Sequence, residues 1–244
     1  MPGRSHQAAV LVAVLAAGCA RIATRGPHAV DDFFPLSPAS TWEYVVSRRG
    51  GADTFRFVAT VRPDAFVRAD GRTCRIVDER YTDVSAGERF PVVYCSDGGF
   101  LHRVLSLEYR GETLEDTGLK SGELRFLPTD LAQVRQWQGW TNAYRLPDGS
   151  GFQVQQFHEV RPELERVDVP AGHFARCIRV ETMAAHFATG PDGSPVGPRF
   201  VFYYSDWYAP GVGLVKTEQR SASSEVVATI DLLQYEIARD AATP

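Results

Sequence analysis

The chain has 244 residues, a formal net charge of −4 at pH 7, and arginines that are scattered with no basic stripe. Nucleic-acid-binding domains concentrate basic residues on one face, so nucleic acid is not an expected partner. The length allows one large β-domain or two small ones.

The first eighteen residues follow the plan of a signal peptide. Arg4 supplies positive charge, residues 8–17 are an uninterrupted run of Ala, Val and Leu, and Gly18 is small. The apolar run is too short to cross a bilayer, which takes about 20 residues. We therefore predict a signal peptide over residues 1–18, cut before Cys19.

The residues around this cleavage point resemble a lipobox, the motif of bacterial lipoproteins. The sequence is Leu15-Ala16-Ala17-Gly18-Cys19, with Ala16 where Leu is commonest. The resemblance implies a diacylglyceryl group on the Cys19 thiol and acylation of its new amino group, which would hold the protein on a membrane. Ala20, rather than Asp, follows the cysteine, and by resemblance to enteric-type lipoprotein sorting this favours the outer membrane. The alternative is an ordinary secreted protein with a chance cysteine.

Beyond the anchor, residues 19–32 lack periodicity and are predicted to form a flexible tether. A single β-domain is predicted over residues 33–240. Residues 41–46 are rich in aromatic and β-branched side chains, and residues 55–61 alternate so that Phe55 and Phe57 share one face.

Three cysteines follow the anchor. Cys74 and Cys95 lie in two β-like runs, 73–81 and 89–95, which would place them opposite one another if folded as a hairpin. A disulfide closing this loop would contribute about 3 kcal/mol. We predict a Cys74–Cys95 bridge, with Cys177 as a buried thiol; pairings of Cys177 with either of the other two remain the competitors.

The rest of the chain continues with short β-rich runs separated by turn residues. Short polar links between them favour antiparallel pairing, because parallel strands need long crossovers. Helical signal is weak, and only residues 129–136 suggest one or two turns, with Thr129 or Asp130 as cap. The fold class predicted from these patterns is all-β, with one large antiparallel sheet and little helix.

No enzyme signature is present. The histidines form no HExxH or HxH pair, and no GxSxG motif occurs. The run Gly211-Val212-Gly213 lacks the third glycine of a dinucleotide loop and is read as a tight turn. Catalytic residues, cofactors and metal ligands are therefore not predicted.

Two segments carry a resemblance to a known family. Residues 167–180 resemble a "VPAGxFxCxxV" motif, with His173 where Thr is usual, and residues 207–216 resemble a "YAPGVGLVK" turn. With residues 33–36 and 42–44, they are similar to a widespread family of uncharacterised bacterial secreted and lipoprotein β-domains. The resemblance implies a strongly curved antiparallel sheet, a half-barrel or open barrel like those of periplasmic lipoprotein carriers.

Two functions follow as expectations. The first is a non-enzymatic envelope lipoprotein that binds an apolar or lipid-like molecule on the concave face of the sheet, lined by Phe55, Phe57 and Phe202. The alternative is a structural or assembly module that contacts an envelope complex or the cell wall through an exposed patch or sheet edge. A hydrolase is a third and weaker interpretation.

Overall fold

The computed structural model describes residues 29–82, 89–104, 107–111, 113–116, 123–145 and 149–238. Cys19 and the predicted signal peptide lie outside these residues. Among the described residues, no helix is long and apolar enough to cross a membrane.

Strands make up most of the described chain, with one short α-helix and one 3₁₀ turn. The elements are α1 Val30–Phe33, β1 Thr41–Arg48, the 3₁₀ turn Arg49–Gly51, β2 Asp53–Val67, β3 Thr73–Tyr81, β4 Arg89–Asp97, β5 Phe100–Val104, β6 Leu107–Arg110, β7 Thr113–Asp116, β8 Glu123–Pro128, β9 Gln136–Arg145, β10 Gly151–Val160, β11 Glu165–Val169, β12 Gly172–Thr189, β13 Pro195–Ala209, β14 Gly213–Ser221 and β15 Val226–Glu236.

The strands form one antiparallel sheet in the order β8-β5-β4-β3-β2-β1-β15-β14-β13-β12-β10-β9, with β11 added beside β12. The sheet is nearly closed into a barrel, and one seam is unsealed. The seam lies between β8 and β9, where the Trp137 indole N–H donates to the Arg125 carbonyl at 3.1 Å. The predicted fold class, one strongly curved antiparallel sheet, is confirmed.

Strand β1 shows why these residues form the barrel wall. Trp42, Tyr44 and Val46 are buried, whereas the residues between them are partly exposed. This period-two pattern places the large side chains inside the barrel and the polar ones outside. The first and last strands of the chain join the two halves of the sheet in its middle, because β1 pairs with β15 as well as with β2.

The segment before β1 covers one end of the barrel. Val30 and Phe33 of α1 are 5% and 3% exposed, and the Val30 amide donates to the Thr129 carbonyl at 3.0 Å. The predicted tether, which extended to Asp32, is therefore too long. The apolar side chains of α1 hold residues 29–32 against the barrel, as does the Gly211 amide, which donates to the Asp32 carbonyl.

The predicted helical turns at residues 129–136 are replaced by a single capped turn. The Asp130 carboxylate accepts hydrogen bonds from the amides of Ala132 and Gln133 at 2.9 and 3.1 Å. Asp130 thus acts as the predicted cap, but β9 begins at Gln136 before a helix can develop. Asp side chains commonly stabilise such turns through their own backbone.

The two hairpin cysteines lie on the outside of the barrel. Cys74 is directly opposite Cys95 in the β3–β4 ladder, and their sulfurs are bonded, with 4.3 Å between the Cα atoms. Around the disulfide is a small second core, formed with Ile76, Val93, Val104 and Leu107. The predicted hairpin register is therefore the one found.

The β6–β7 hairpin packs on this second core and is held there by Tyr109. The Tyr109 hydroxyl donates to the Asp78 carboxylate and accepts from the Arg62 guanidinium at 2.8 Å. The Arg89 guanidinium lies 4.5 Å from the centre of the Tyr109 ring. The outer core is thus covered by a hairpin that is fixed by charged hydrogen bonds.

Candidate ligand-binding cavity

The barrel encloses a partly open cavity of about 410 Å³. Its wall runs from Trp42 and Gly213, at the end covered by the chain before β1, to Arg48 and Ala228 at the opposite end, which we call the mouth. The remaining lining residues are Phe34, Leu36, Tyr44, Val46, Phe55, Phe57, Ala59, Val77, Glu79, Tyr81, Tyr94, Arg103, Phe126, Tyr204, Asp206, Tyr208, Leu214, Thr217, Gln219 and Ile230.

One side of the cavity is a continuous aromatic wall from β1, β2 and β3. The Tyr44 and Phe57 rings are stacked, with centres 5.0 Å apart. Tyr81 lies 5.7 Å from Phe57 and 5.6 Å from Phe55, measured between ring centres. Inward positions on paired strands bring these rings together, because side chains opposite one another lie on the same face. The wall offers a flat apolar surface to a ligand.

The floor of the cavity is a second aromatic cluster. Phe34 contacts the edges of Tyr94 and Phe126 at centre-to-centre distances of 5.0 and 5.1 Å. Tyr208 completes the cluster, 6.3 Å from Phe34. Phe34 comes from the segment before β1, so this segment both closes the barrel and shapes the inner end of the cavity.

Charged side chains also line this apolar space. Glu79, Arg103 and Asp206 lie on inward positions of β3, β5 and β13. Burial raises the pKa of Glu79, and the Arg103 guanidinium opposes that rise. Burial also raises the pKa of Asp206 to about 6, against a hydrogen bond from the Thr217 hydroxyl at 2.6 Å. Desolvation disfavours a charged carboxylate in both cases.

Of the three predicted lining residues, the structure places two in the cavity. Phe55 and Phe57 are part of the aromatic wall. Phe202 is on an inward position of β13, but it lies outside this cavity and contacts His186 edge-on at 5.6 Å. Phe202 lies too far along the barrel to reach the cavity. It pairs with Ser221 of β14, two residues beyond Gln219, which is the last residue of β14 in the cavity lining.

The charged lining was not predicted from the sequence, although the signal was available. Glu79 is in phase with Val77 and Tyr81 along β3, so its side chain must point to the same face. A charged residue within an inward-facing row is uncommon unless it has a partner or a ligand. Arg103 gives no such signal, because β5 is too short for its alternation to be read.

A second depression, of about 710 Å³, lies on the outside of the barrel. A row of paired residues from β9, β10, β12 and β13 lines it, and in this row Phe157 and Tyr203 are 40% and 41% exposed. Met183 pairs with both. We call this the outer groove, and its exposed aromatic side chains distinguish it from the enclosed cavity.

His158 is a buried residue that also lines the outer groove. Its ring stacks on Trp137 at 4.8 Å, and Nδ1 is 2.8 Å from the Thr182 hydroxyl. Burial lowers the pKa of His158 to about 4. Within the described ranges, no group of three or more His, Cys, Asp or Glu residues is arranged to hold a metal ion.

Comparisons with known proteins show the fold. No protein-family model matches the chain, and no curated protein matches it. A crystal structure described as a lipoprotein from Parabacteroides distasonis is similar, with a TM-score of 0.55 and 16% identity over 84% of this chain and 98% of that one. An exported protein with a YmcC-like fold from Bacteroides fragilis has a TM-score of 0.54 and 15% identity over the same shares.

Proposed function

We propose that this protein is a lipid-anchored envelope lipoprotein, without catalytic activity, that binds an apolar or lipid-like molecule inside its barrel. The observation that carries the ligand-binding role is the cavity of about 410 Å³ between two aromatic clusters. Its volume is within the range of about 300–1,000 Å³ that is usual for small-molecule sites. Well-packed interiors contain few voids larger than a water molecule, so a space of this size calls for an occupant.

The envelope location rests on separate observations. The first is the lipobox resemblance at Cys19, which would attach the protein to a membrane, and by its following Ala20 to the outer membrane. The second is that the two similar structures are described as a lipoprotein and an exported protein. The Cys74–Cys95 disulfide also accords with export, since disulfides persist in oxidising compartments.

A second candidate function is favoured by the outer groove. Phe157 and Tyr203 present aromatic surface to solvent there, beside Glu159 and Glu181. Exposed apolar patches with a polar rim often mark protein interfaces. An assembly role, in which an envelope protein covers this groove, is therefore the alternative to ligand binding in the barrel.

Native mass spectrometry of the purified protein tests the ligand-binding role. We expect a co-purifying mass of lipid size that is lost on denaturation. Ala228→Trp should fill the mouth of the cavity and remove this mass, whereas Thr229→Trp, one residue along on the outer face of β15, should retain it. Wild-type protein with no bound mass and no uptake of added lipid would contradict the role; a partner cross-linked at Phe157 would then support assembly.

A further inference from the structure

The two arginines of the cavity lining form no salt bridge with a described carboxylate. Arg48 is exposed at the mouth, with its guanidinium 4.9 Å from the centre of the Phe55 ring. Arg103 has a buried Nε with no hydrogen-bond partner in the described part of the chain. A buried donor left unpaired costs about 1–3 kcal/mol, and more when it is charged.

Both arginines line the same cavity as Tyr81. Arg48 lies over the Phe55 ring, whose centre is 5.6 Å from that of Tyr81, and both Arg103 and Arg48 lower the pKa of Tyr81, which burial and Glu79 raise. Arg48 belongs to β1 at the mouth, and Arg103 belongs to β5, where it is opposite Tyr94 of the floor, so two cations from separate strands face one cavity. Gln219 and Ala228 lie on the rim at the same end.

The acidic residues of the lining do not complete ion pairs with these arginines. The Arg103 guanidinium lowers the pKa of Glu79 electrostatically, but the two side chains form no salt bridge among the described residues. Asp206 takes its hydrogen bond from Thr217 on the neighbouring strand. Because neither carboxyl group forms a salt bridge with Arg48 or Arg103 among the described residues, the two guanidinium groups keep donors that an anion can accept from.

We infer, on the basis of the proposed function, that the ligand is an amphiphile with an anionic head group, a carboxylate or a phosphate. Arg48 and Arg103 bind the head group beside Tyr81, and the apolar part lies between the Tyr44–Phe57 wall and the floor at Phe34. Guanidinium groups suit this task because they present several donors in a planar fork that matches carboxylate and phosphate oxygens. The site disfavours neutral and cationic amphiphiles.

A displacement assay at pH 7.5 with four twelve-carbon probes tests this inference. Dodecanoate and dodecyl phosphate carry the anion, dodecanol is neutral, and dodecyltrimethylammonium is cationic. We expect the two anionic probes to bind at least about tenfold more tightly than dodecanol, as charged hydrogen bonds predict. Inorganic phosphate and acetate should compete only weakly, because they lack the apolar part.

Substitutions test whether Arg48 and Arg103 cause the preference for anionic probes. Arg48→Ala and Arg103→Ala should each reduce anion binding about tenfold and leave dodecanol binding unchanged, while Arg103→Lys should restore part of the loss. Glu79→Gln should retain or strengthen anion binding. Arg56→Ala is the matched control, because Arg56 lies on the outer face of β2 and pairs with Glu43.

The outcomes separate this inference from the function on which it rests. Equal binding of dodecanol and dodecanoate to the wild type would overturn the anionic head group and leave the apolar cavity standing. Failure of all four probes would overturn the proposed function itself. Full competition by inorganic phosphate would show a free-anion site instead, and would also overturn the inference. Circular dichroism of Arg103→Ala checks that this variant is folded. If it is unfolded, anion binding by Arg48→Ala and Arg103→Lys tests the inference instead, and wild-type affinity in both would overturn it.

Discussion

The indole N–H of Trp42 donates a hydrogen bond of 2.6 Å to the carbonyl of Val212, across 170 positions of sequence. Val212 lies in the turn between β13 and β14, and Tyr44, two residues along β1, donates to the Leu214 carbonyl at 3.0 Å. The aromatic strand and the glycine turn, separate in the sequence, are therefore parts of one contact at the closed end of the barrel. This contact fixes the last third of the chain against the first strand.

We predict that Trp42→Phe destabilises the protein by about 1–3 kcal/mol, because the buried Val212 carbonyl loses its donor. Urea denaturation followed by circular dichroism measures this change. Tyr203→Phe is the control, since Tyr203 is 41% exposed and its hydroxyl has no hydrogen bond among the described residues. Equal midpoints for Trp42→Phe and the wild type would show that the bond contributes nothing to folding.

The glycines of this turn should differ in their tolerance of substitution. Gly213 has a φ of +103°, which residues with a side chain rarely adopt, and an added Cβ would be in van der Waals contact with Trp42 Nε1 at 3.5 Å. Gly211 has a φ of +70° and nothing within 4 Å. We expect Gly213→Ala to lower stability by about 1–2 kcal/mol or more, and Gly211→Asn, which tolerates this φ, to cost little. Equal melting temperatures for the two variants would contradict this assignment.

Much of the fold was predictable because the barrel depends on local alternation. The in-phase aromatic residues of β1 and β2 indicated inward-facing strands, and turn residues between the runs indicated antiparallel pairing. The Cys74–Cys95 register followed from one hairpin. The joining of the two halves of the sheet could not be read in this way, because it depends on pairing between β1 and β15, which are distant in the sequence.

The candidate site was only partly predictable for a related reason. Phe55 and Phe57 could be assigned to one face from their spacing, but which part of that face remains open depends on the whole barrel. Residues 19–32 were predicted as a tether and Phe34 as part of the β-domain, but the packing of Phe34 against Tyr94, which decides where the cavity ends, has no local signal. The presence of Arg48 and Arg103 in one cavity lining depends on curvature across five strands, which no local pattern contains.

The cysteines of the β-domain should differ in their reactivity toward an alkylating reagent. Cys177 is fully buried, its thiol donates to the Phe174 carbonyl at 3.7 Å, and burial raises its pKa to about 12. We expect no alkylation of Cys177 in the native protein and rapid alkylation in guanidinium chloride, because the thiolate is the reactive form. Non-reducing peptide mapping should find the Cys74 and Cys95 peptides linked. Native alkylation of Cys177 at the rate of a free thiol would contradict its burial.

The proposed anchor predicts the behaviour of a variant at Cys19. Replacing Cys19 with Ser removes the thiol that would carry the lipid, so the protein should leave the membrane fraction or accumulate unprocessed. Membrane fractionation with mass spectrometry of the amino terminus measures both effects. Cys177→Ser is the control, and it should stay on the membrane. A Cys19→Ser protein that fractionates like the wild type would remove the lipoprotein assignment.

Asp206 predicts a pH dependence of stability with a definite sign. Its pKa in the folded protein is about 6, above the ordinary 3.8, mainly because it is buried, with a smaller contribution from Glu181. The native state therefore binds more protons than the unfolded state between pH 4 and 6. Stability falls as the pH rises through this range, and the full penalty remains above about pH 6.

Asp206→Asn removes this penalty, because its amide oxygen can still accept the hydrogen bond from Thr217. We expect the variant to be more stable than the wild type at pH 8, by up to about 3 kcal/mol, and the difference to vanish near pH 4. Asp64→Asn is a control of opposite sign: its hydrogen bond with Arg62 lowers the pKa of Asp64, so its removal should not stabilise at any pH. Urea titrations at pH 4, 6 and 8 measure both variants. A constant difference for Asp206→Asn across these three values would show that the carboxyl group does not titrate inside the barrel.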